Sequence, residues 1–277
     1  NWILLVQGLM VPIVLVSLIG LIVPLFRKVI KLSTYEYFER RFGAFARFYS
    51  SIAFVLTHFT KMGSVFFLVS MALAQFMNLD IYWVIAVLGV TIILLTFLGG
   101  MEAIIWMDVI QGGMLIGGGL ICIVLLLFAI GTPFSAGDIL QTAWNATTNV
   151  GPYEVSKIGI GPLEWDLVET TFLVMVLNGF FYALQKYGTD QTIVQRYLTA
   201  KDDKSAKKAA FIGVFLSVPI WTIFMFVGSL LFAYYQLSPD AAIEGMKADA
   251  VFPHFISTQL PIGVRGLIIA AIAAAAI

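Results

Sequence analysis

A chain of 277 residues, 60% of them hydrophobic and only 12% charged, carries too little charge to cover a water-facing surface, since ordinary soluble domains hold roughly 25% charged residues. Its 16 Lys and Arg against 16 Asp and Glu leave no net field to steer it toward nucleic acid or another polyanion. A single cysteine, Cys122, excludes an internal disulfide and a multi-cysteine metal centre, and two histidines are few for zinc.

Crossing about 30 Å of hydrocarbon takes about 20 apolar helical residues, because every backbone N–H and C=O must be satisfied inside the segment. Seven segments meet or approach that length: Trp2 to Phe26, Phe48 to Met77, Ile81 to Leu98, Ile104 to Ile130, Leu167 to about Leu198, Ala209 to Leu237 and Pro261 to Ile277. Nothing alternates in polarity over barrel-strand lengths, so the expected class is an all-α transmembrane bundle in a lipid bilayer. The chain opens and stops inside apolar runs, without an initiator Met, and is expected to be a fragment.

The loops set the expected orientation. Loop 27–47 holds six Lys or Arg and the stretch 196–208 holds five, whereas loop 78–80 has none and loops 131–166 and 238–260 have one each, Lys157 and Lys247. Cytoplasmic loops accumulate these residues, so the first span is expected to start outside and loops 27–47 and 196–208 to face the cytoplasm of a plasma or bacterial inner membrane. The long outer loops carry the turn pairs Gly151-Pro152 and Gly161-Pro162 and are expected to pack over the bundle mouth. Asn145-Ala146-Thr147 is a glycosylation sequon on that side. In the fourth segment Gly113 and Gly117 permit close helix approach.

Ionisable and amide groups at membrane depth carry the functional signal, since each costs a few kcal/mol unless a partner or water receives it. In the second segment Thr57, Lys61, Ser64 and Gln75 fall near one helical stripe. Lys61 either snorkels to the interface or faces a wet cavity and meets an anion; His58 reads as a packed residue. Glu102 reads as a solvated loop charge. Asp108, deeper in the fourth segment, needs a cation, a donor cluster or a proton, and a structural hydrogen bond is the plainer reading. The fifth segment is interrupted at Asn178-Gly179 and again from Gln185 to Gln191. An unbroken helix over its 32 or so residues would reach roughly 48 Å, too long unless tilted. Either the helix is discontinuous, breaking at Asn178, Gly179 and Gly188 as transporter helices do around substrate or ions, or it ends near Ala183 and the polar run is loop. The small residues from Ala270 to Ala276 could admit a neighbouring helix or an ion.

These stretches resemble the sodium:solute symporter family, which includes sodium/glucose, sodium/galactose and sialic acid symporters. The resemblance rests on STYEYFERRFG from Ser33 to Gly43, GGMEAIIWMDVIQG from Gly99 to Gly112, GTDQTIVQRYLTAK from Gly188 to Lys201 and LPIGVRGLIIAAI from Leu260 to Ile272, and covers essentially the whole chain. It implies a leucine-transporter-like core of two inverted five-helix repeats, of which core helices two to eight are present. Residues 1–277 would form one transporter domain: 1–130 the rest of a first repeat, 131–166 an extracellular loop and 167–277 the start of a second. The resemblance further implies Na+ as the coupling ion, with Ala275 at a carbonyl position of the sodium site and Asp108 at a carboxylate of sodium binding or its inner exit. Ala183 stands where galactose-type members have a sugar-binding Asn and Lys186 where they have an aromatic inner gate. HFTK from His58 to Lys61 and the run around Gln7 look more like the sialic acid branch, with Lys61 in place of an Arg that meets the substrate carboxylate. Gln7, Lys61, Ala183, Gln185 and Lys186 are the expected substrate contacts.

The expected activity is therefore sodium-coupled symport of a small anionic or polyhydroxylated solute, a sialic acid, sugar or other carboxylate. A passive channel or sensor on the same scaffold is the alternative. No enzyme is expected, because no HExxH, Cys–His pair or Ser-His-Asp set is present, and no obligate protein partner is evident.

Overall fold

The computed structural model describes residues 1–30, 33–77, 79–128 and 133–276. Lys31, Ile130 and Ile277 lie outside the described residues, as do the side chains at 29, 75, 101–104, 269 and 271–276, and with them those of Gln75, Glu102 and Ala275. The helices are α1 (Ile3–Pro24), α2 (Thr34–Phe42), α3 (Ala44–Met77), α4 (Ile81–Phe128), α5 (Ala136–Asn145), α6 (Phe172–Gly188), α7 (Gln191–Thr199), α8 (Asp203–Leu237), α9 (Ala248–Gln259) and α10 (Ile262–Ala276). Among the described residues, five helical stretches are long and apolar enough to cross a membrane: Ile3–Lys28, Ala44–Ala74, Ile81–Gly100, Ile105–Phe128 and Asp203–Leu237. The fifth and seventh expected spans are shorter, at 17 residues for α6 and 15 for α10. Among the described residues the one β element is a hairpin, β1 (Thr147–Val150) against β2 (Tyr153–Ser156), closed by the Gly151-Pro152 turn.

The third and fourth expected spans form one element, α4, bent at Gly100, whose φ of 60° and ψ of −169° are open to glycine alone. The chain divides into two compact units, 1–55 with 140–229 and 56–139 with 230–277.

In the first unit α1 packs along α6. Its inner face, including Val11, Leu15, Ile19 and Val23, joins Ala183, Val194 and Val214 in one apolar cluster, while Ile13 and Leu21 on its other side are 60% and 67% exposed. A helix apolar all round satisfies protein on one side and hydrocarbon on the other. Pro24 has no N–H to donate, and past it the regular ladder widens into a π-helical turn, Leu25–Ile30. The loop between α5 and α6 closes over the N-terminal ends of α1 and α6: Trp2 N–H donates to the Gly159 carbonyl (3.2 Å), and Phe172 N–H to the Pro162 carbonyl (2.9 Å).

Asp166 ties this loop together. Its carboxylate accepts from the Val168 N–H (2.8 Å) and the Tyr153 hydroxyl (3.3 Å), and its carbonyl from the Thr171 hydroxyl (2.8 Å). The Val168 N–H above all holds the Asp166 carboxyl below the usual carboxylate range. A depressed folded pKa means that the contribution is complete at neutral pH and is lost as acid titrates the group. Protease nicking of 157–171 is therefore expected to rise below the ordinary carboxylate range, and Asp166→Asn to show that sensitivity already at neutral pH; equal nicking of the two proteins at pH 7 would exclude the anchor.

In the second unit α10 packs against α4 and α9. Tyr234, Tyr235 and Phe255 stack edge to face with centroids 5.2 to 6.5 Å apart. The Tyr234 hydroxyl donates to Gln259 Oε1 (3.1 Å), and His254 Nε2 sits 2.9 Å from Asp240 Oδ2.

Candidate functional site

Gln7, Ala183, Gln185 and Lys186 belong to the first unit, and Lys61, Asp108 and Ala275 to the second.

The expected break at Asn178-Gly179 is absent: α6 runs through both residues. Met175, Gly179 and Ala183, four residues apart, form the buried stripe that meets α1. A Cβ on Gly179 would lie 2.7 Å from Met10 Cβ and 3.0 Å from both Gln7 Cα and the Gln7 carbonyl oxygen. Gly179 is thus a close-approach residue, pressing α6 onto the α1 backbone at Gln7. Ala183, expected at a substrate contact, is only 2% exposed inside the apolar cluster. Gln7 is half-buried, while Asn178 and Gln185 on the other faces of α6 are exposed.

The interruption falls one residue past Gly188. Asp190 caps α7, its carboxylate accepting from the Thr192 N–H (2.9 Å) and Thr192 hydroxyl (2.6 Å); such a cap contributes about 1 kcal/mol. Lys186 Nζ lies 2.6 Å from Asp190 Oδ2, with the two side chains 23% and 12% exposed. The expected inner-gate residue therefore spans the break between α6 and α7 with an ion pair, and its charge is already matched. The α7 side is tied to α2 as well, since Gln191 Oε1 accepts from the Thr34 N–H (3.3 Å).

Arg27, which enters the sequence pattern only as one of the basic residues of loop 27–47, makes three hydrogen bonds in this region. Its Nε donates to Asp203 Oδ1 (2.7 Å), and one terminal nitrogen donates to the carbonyls of Tyr197 (2.6 Å) and Ala200 (2.7 Å) at the end of α7. Lys28 adds a longer contact to Asp203, 3.5 Å. The guanidinium fork satisfies carbonyls that a helix C-terminus leaves unpaired and places a cation where the dipole favours one. The sequence feature that could have found Arg27 is a basic residue three positions after a proline that ends an apolar run.

In the second unit Lys61 is exposed on α3, with no ion pair or hydrogen bond among the described residues. Ser64, on its stripe, donates back to the Thr60 carbonyl (3.0 Å) and is satisfied within the helix. His58 is half-buried and Asp108 exposed, and both have interacting neighbours. Ala275 lies in α10, which packs on α4, the helix that carries Asp108. No cluster of three His, Cys, Asp or Glu occurs among the described residues.

The sequence pattern of the sodium:solute symporter family matches residues 2–277. The sodium/sialic acid symporter NanT of Aliivibrio fischeri is 34% identical over 253 residues, 91% of this chain and 48% of that protein. The sodium/sialic acid symporter SiaT of Proteus mirabilis is 33% identical over 254 residues, 92% of this chain and 49% of that protein. A solved Na+-coupled sialic acid symporter, in a substrate-bound outward-open state, is similar across 100% of this chain and 56% of its own, with a TM-score of 0.86 at 30% identity. The chain spans about half the length of the curated relatives it matches.

Proposed function

Because the chain belongs to the sodium:solute symporter family, we propose that the protein carries a small anionic or polyhydroxylated solute across a membrane together with Na+ by alternating access. One observation carries this reading: the family pattern spans the chain almost end to end, and a Na+-coupled sialic acid symporter has its fold over every residue. Lys61, which has no ion pair or hydrogen bond among the described residues, takes the substrate carboxylate. Gln7 and Gln185 supply amides for hydroxyls. The methyl of Ala183 offers no polar contact and keeps the α1–α6 seam closed, and Lys186 holds the break between α6 and α7 through Asp190. Asp108 and the Ala275 carbonyl serve the sodium route. Residues 1–130 and 167–277 belong to two inverted repeats joined by an extracellular loop, and the basic loops 27–47 and 196–208 face the cytoplasm.

Coupling needs no covalent step. Sodium binds one state more tightly, the solute completes the next, and each ligand shifts the equilibrium by its difference in affinity. The membrane potential contributes about 2.3 kcal/mol per charge per 100 mV.

The test is uptake by the intact protein in proteoliposomes. Radiolabelled sialic acid is expected to accumulate above its outside concentration under an inward sodium gradient and to stop doing so when potassium replaces sodium. Equilibration without accumulation would instead establish a channel or sensor. Lys61→Ala is expected to weaken carboxylate substrates by about tenfold or more, the size of one charge-assisted hydrogen bond; unchanged affinity for every carboxylate would remove Lys61 from the site.

A further inference from the structure

A second anion site emerges away from the transport residues, on α2. This helix is amphipathic. Tyr35, Phe38 and Phe42 share one stripe, and Glu36, Tyr37, Arg40 and Arg41 occupy the opposite side. Between that polar side and the preceding π-helical turn lies a cavity of about 460 Å³ lined by Ile30, Glu36, Tyr37, Arg40 and Arg41. The two arginines are not equivalent. Arg40 is engaged by Glu36 at 2.5 Å. Arg41 reaches the Tyr37 hydroxyl (2.9 Å) and lies over the Phe42 ring (5.8 Å to the centroid), with no carboxylate partner among the described residues.

The surroundings identify what would fill it. Phe42, whose ring lies under the Arg41 guanidinium, and Phe45 and Phe48, which follow it along the chain, are 66%, 80% and 66% exposed. Rings so exposed next to guanidinium groups have the composition of a membrane–water boundary, where apolar faces enter the acyl layer and basic groups meet lipid phosphates. The two basic stretches, 27–47 and 196–208, together hold eleven Lys and Arg against four Asp and Glu, and such juxtamembrane clusters attract anionic leaflets. A soluble phosphate would match the arginines but leave three aromatic rings in water, so the occupant is a lipid.

We propose that the cavity on α2 is a binding site for the phosphate of an anionic phospholipid headgroup. Arg41 donates to the phosphate, the Tyr37 hydroxyl orients Arg41, and the exposed phenylalanines take the acyl chains. Glu36 competes for Arg40 and so limits affinity. The inference stands independently of which solute the protein carries.

Native mass spectrometry of the intact protein, released from phosphatidylcholine nanodiscs with and without added phosphatidylglycerol, tests it. Phosphatidylglycerol is expected to be retained in preference to phosphatidylcholine. Arg41→Gln is expected to lower that retention about tenfold, the size of one charge-assisted hydrogen bond, and Glu36→Gln to raise it by freeing Arg40. The rise in Glu36→Gln decides the matter even if Arg41→Gln misfolds, because loss of a merely structural ion pair would lower or leave unchanged what α2 binds. Equal retention of both lipids, an unaltered Arg41→Gln, no rise in Glu36→Gln, or displacement of the lipid by inorganic phosphate alone would each overturn the proposal.

Discussion

Gly179→Val is expected to collapse the packing of α1 on α6 and to give the largest loss of thermal stability of any single substitution proposed for this chain. The atoms that a side chain there would strike include Gln7 Cα and the Gln7 carbonyl oxygen. Backbone inside a packed helix cannot swing aside as the end of a flexible side chain can. Overpacking of this kind costs about 1–3 kcal/mol for the first added carbon, so Gly179→Ala is expected to lower the tryptophan-fluorescence melting midpoint, and the β-branched valine to lower it further. Gly188→Ala is the internal control, since a Cβ there meets nothing within 4 Å. Equal losses at both glycines would show that α6 simply dislikes substitution, and the close-approach account would fail.

Arg27→Ala follows in size. It leaves the Tyr197 and Ala200 carbonyls without their donor and Asp203 without its closest cation. The Asp203 side chain is 30% exposed and keeps Lys28 at 3.5 Å, so water and Lys28 soften the loss of the ion pair, and the two unpaired carbonyls carry most of the effect. Arg27→Lys is expected to recover only part of the loss, because an ammonium replaces the charge but not the fork that serves two carbonyls and a carboxylate at once. Hydrogen exchange is the decisive measurement: amides of α7 are expected to lose protection in Arg27→Ala while those in the middle of α1 keep theirs. Unchanged protection in α7 would show that its end does not depend on Arg27.

The same two residues mark where sequence reasoning stops. Gly179 sits beside Asn178 in an apolar run, and by pattern alone that pair reads as a helix break. A glycine that frees the backbone and a glycine that admits a neighbouring backbone have the same sequence, and only the position of α1 separates them. The true interruption, at Gly188 to Asp190, was written in the chain, because Asp190 and Thr192 form a local cap that requires no distant partner. Lys186 was expected at an inner-gate position contacting the solute, and in the structure its ammonium pairs with Asp190, 2.6 Å away.

Composition and apolar run length alone determined the helical class and most of the spans, because a hydrocarbon phase tolerates only segments that satisfy their own backbone, and that requirement acts residue by residue along the chain; the family resemblance came from the four motif stretches between Ser33 and Ile272. Tertiary structure alone decided that Gly179 is a seam and that Arg27 ties the end of α7 to α8. Each of those facts concerns groups distant in sequence, and distances between helices depend on how whole faces pack, a quantity that no local pattern encodes.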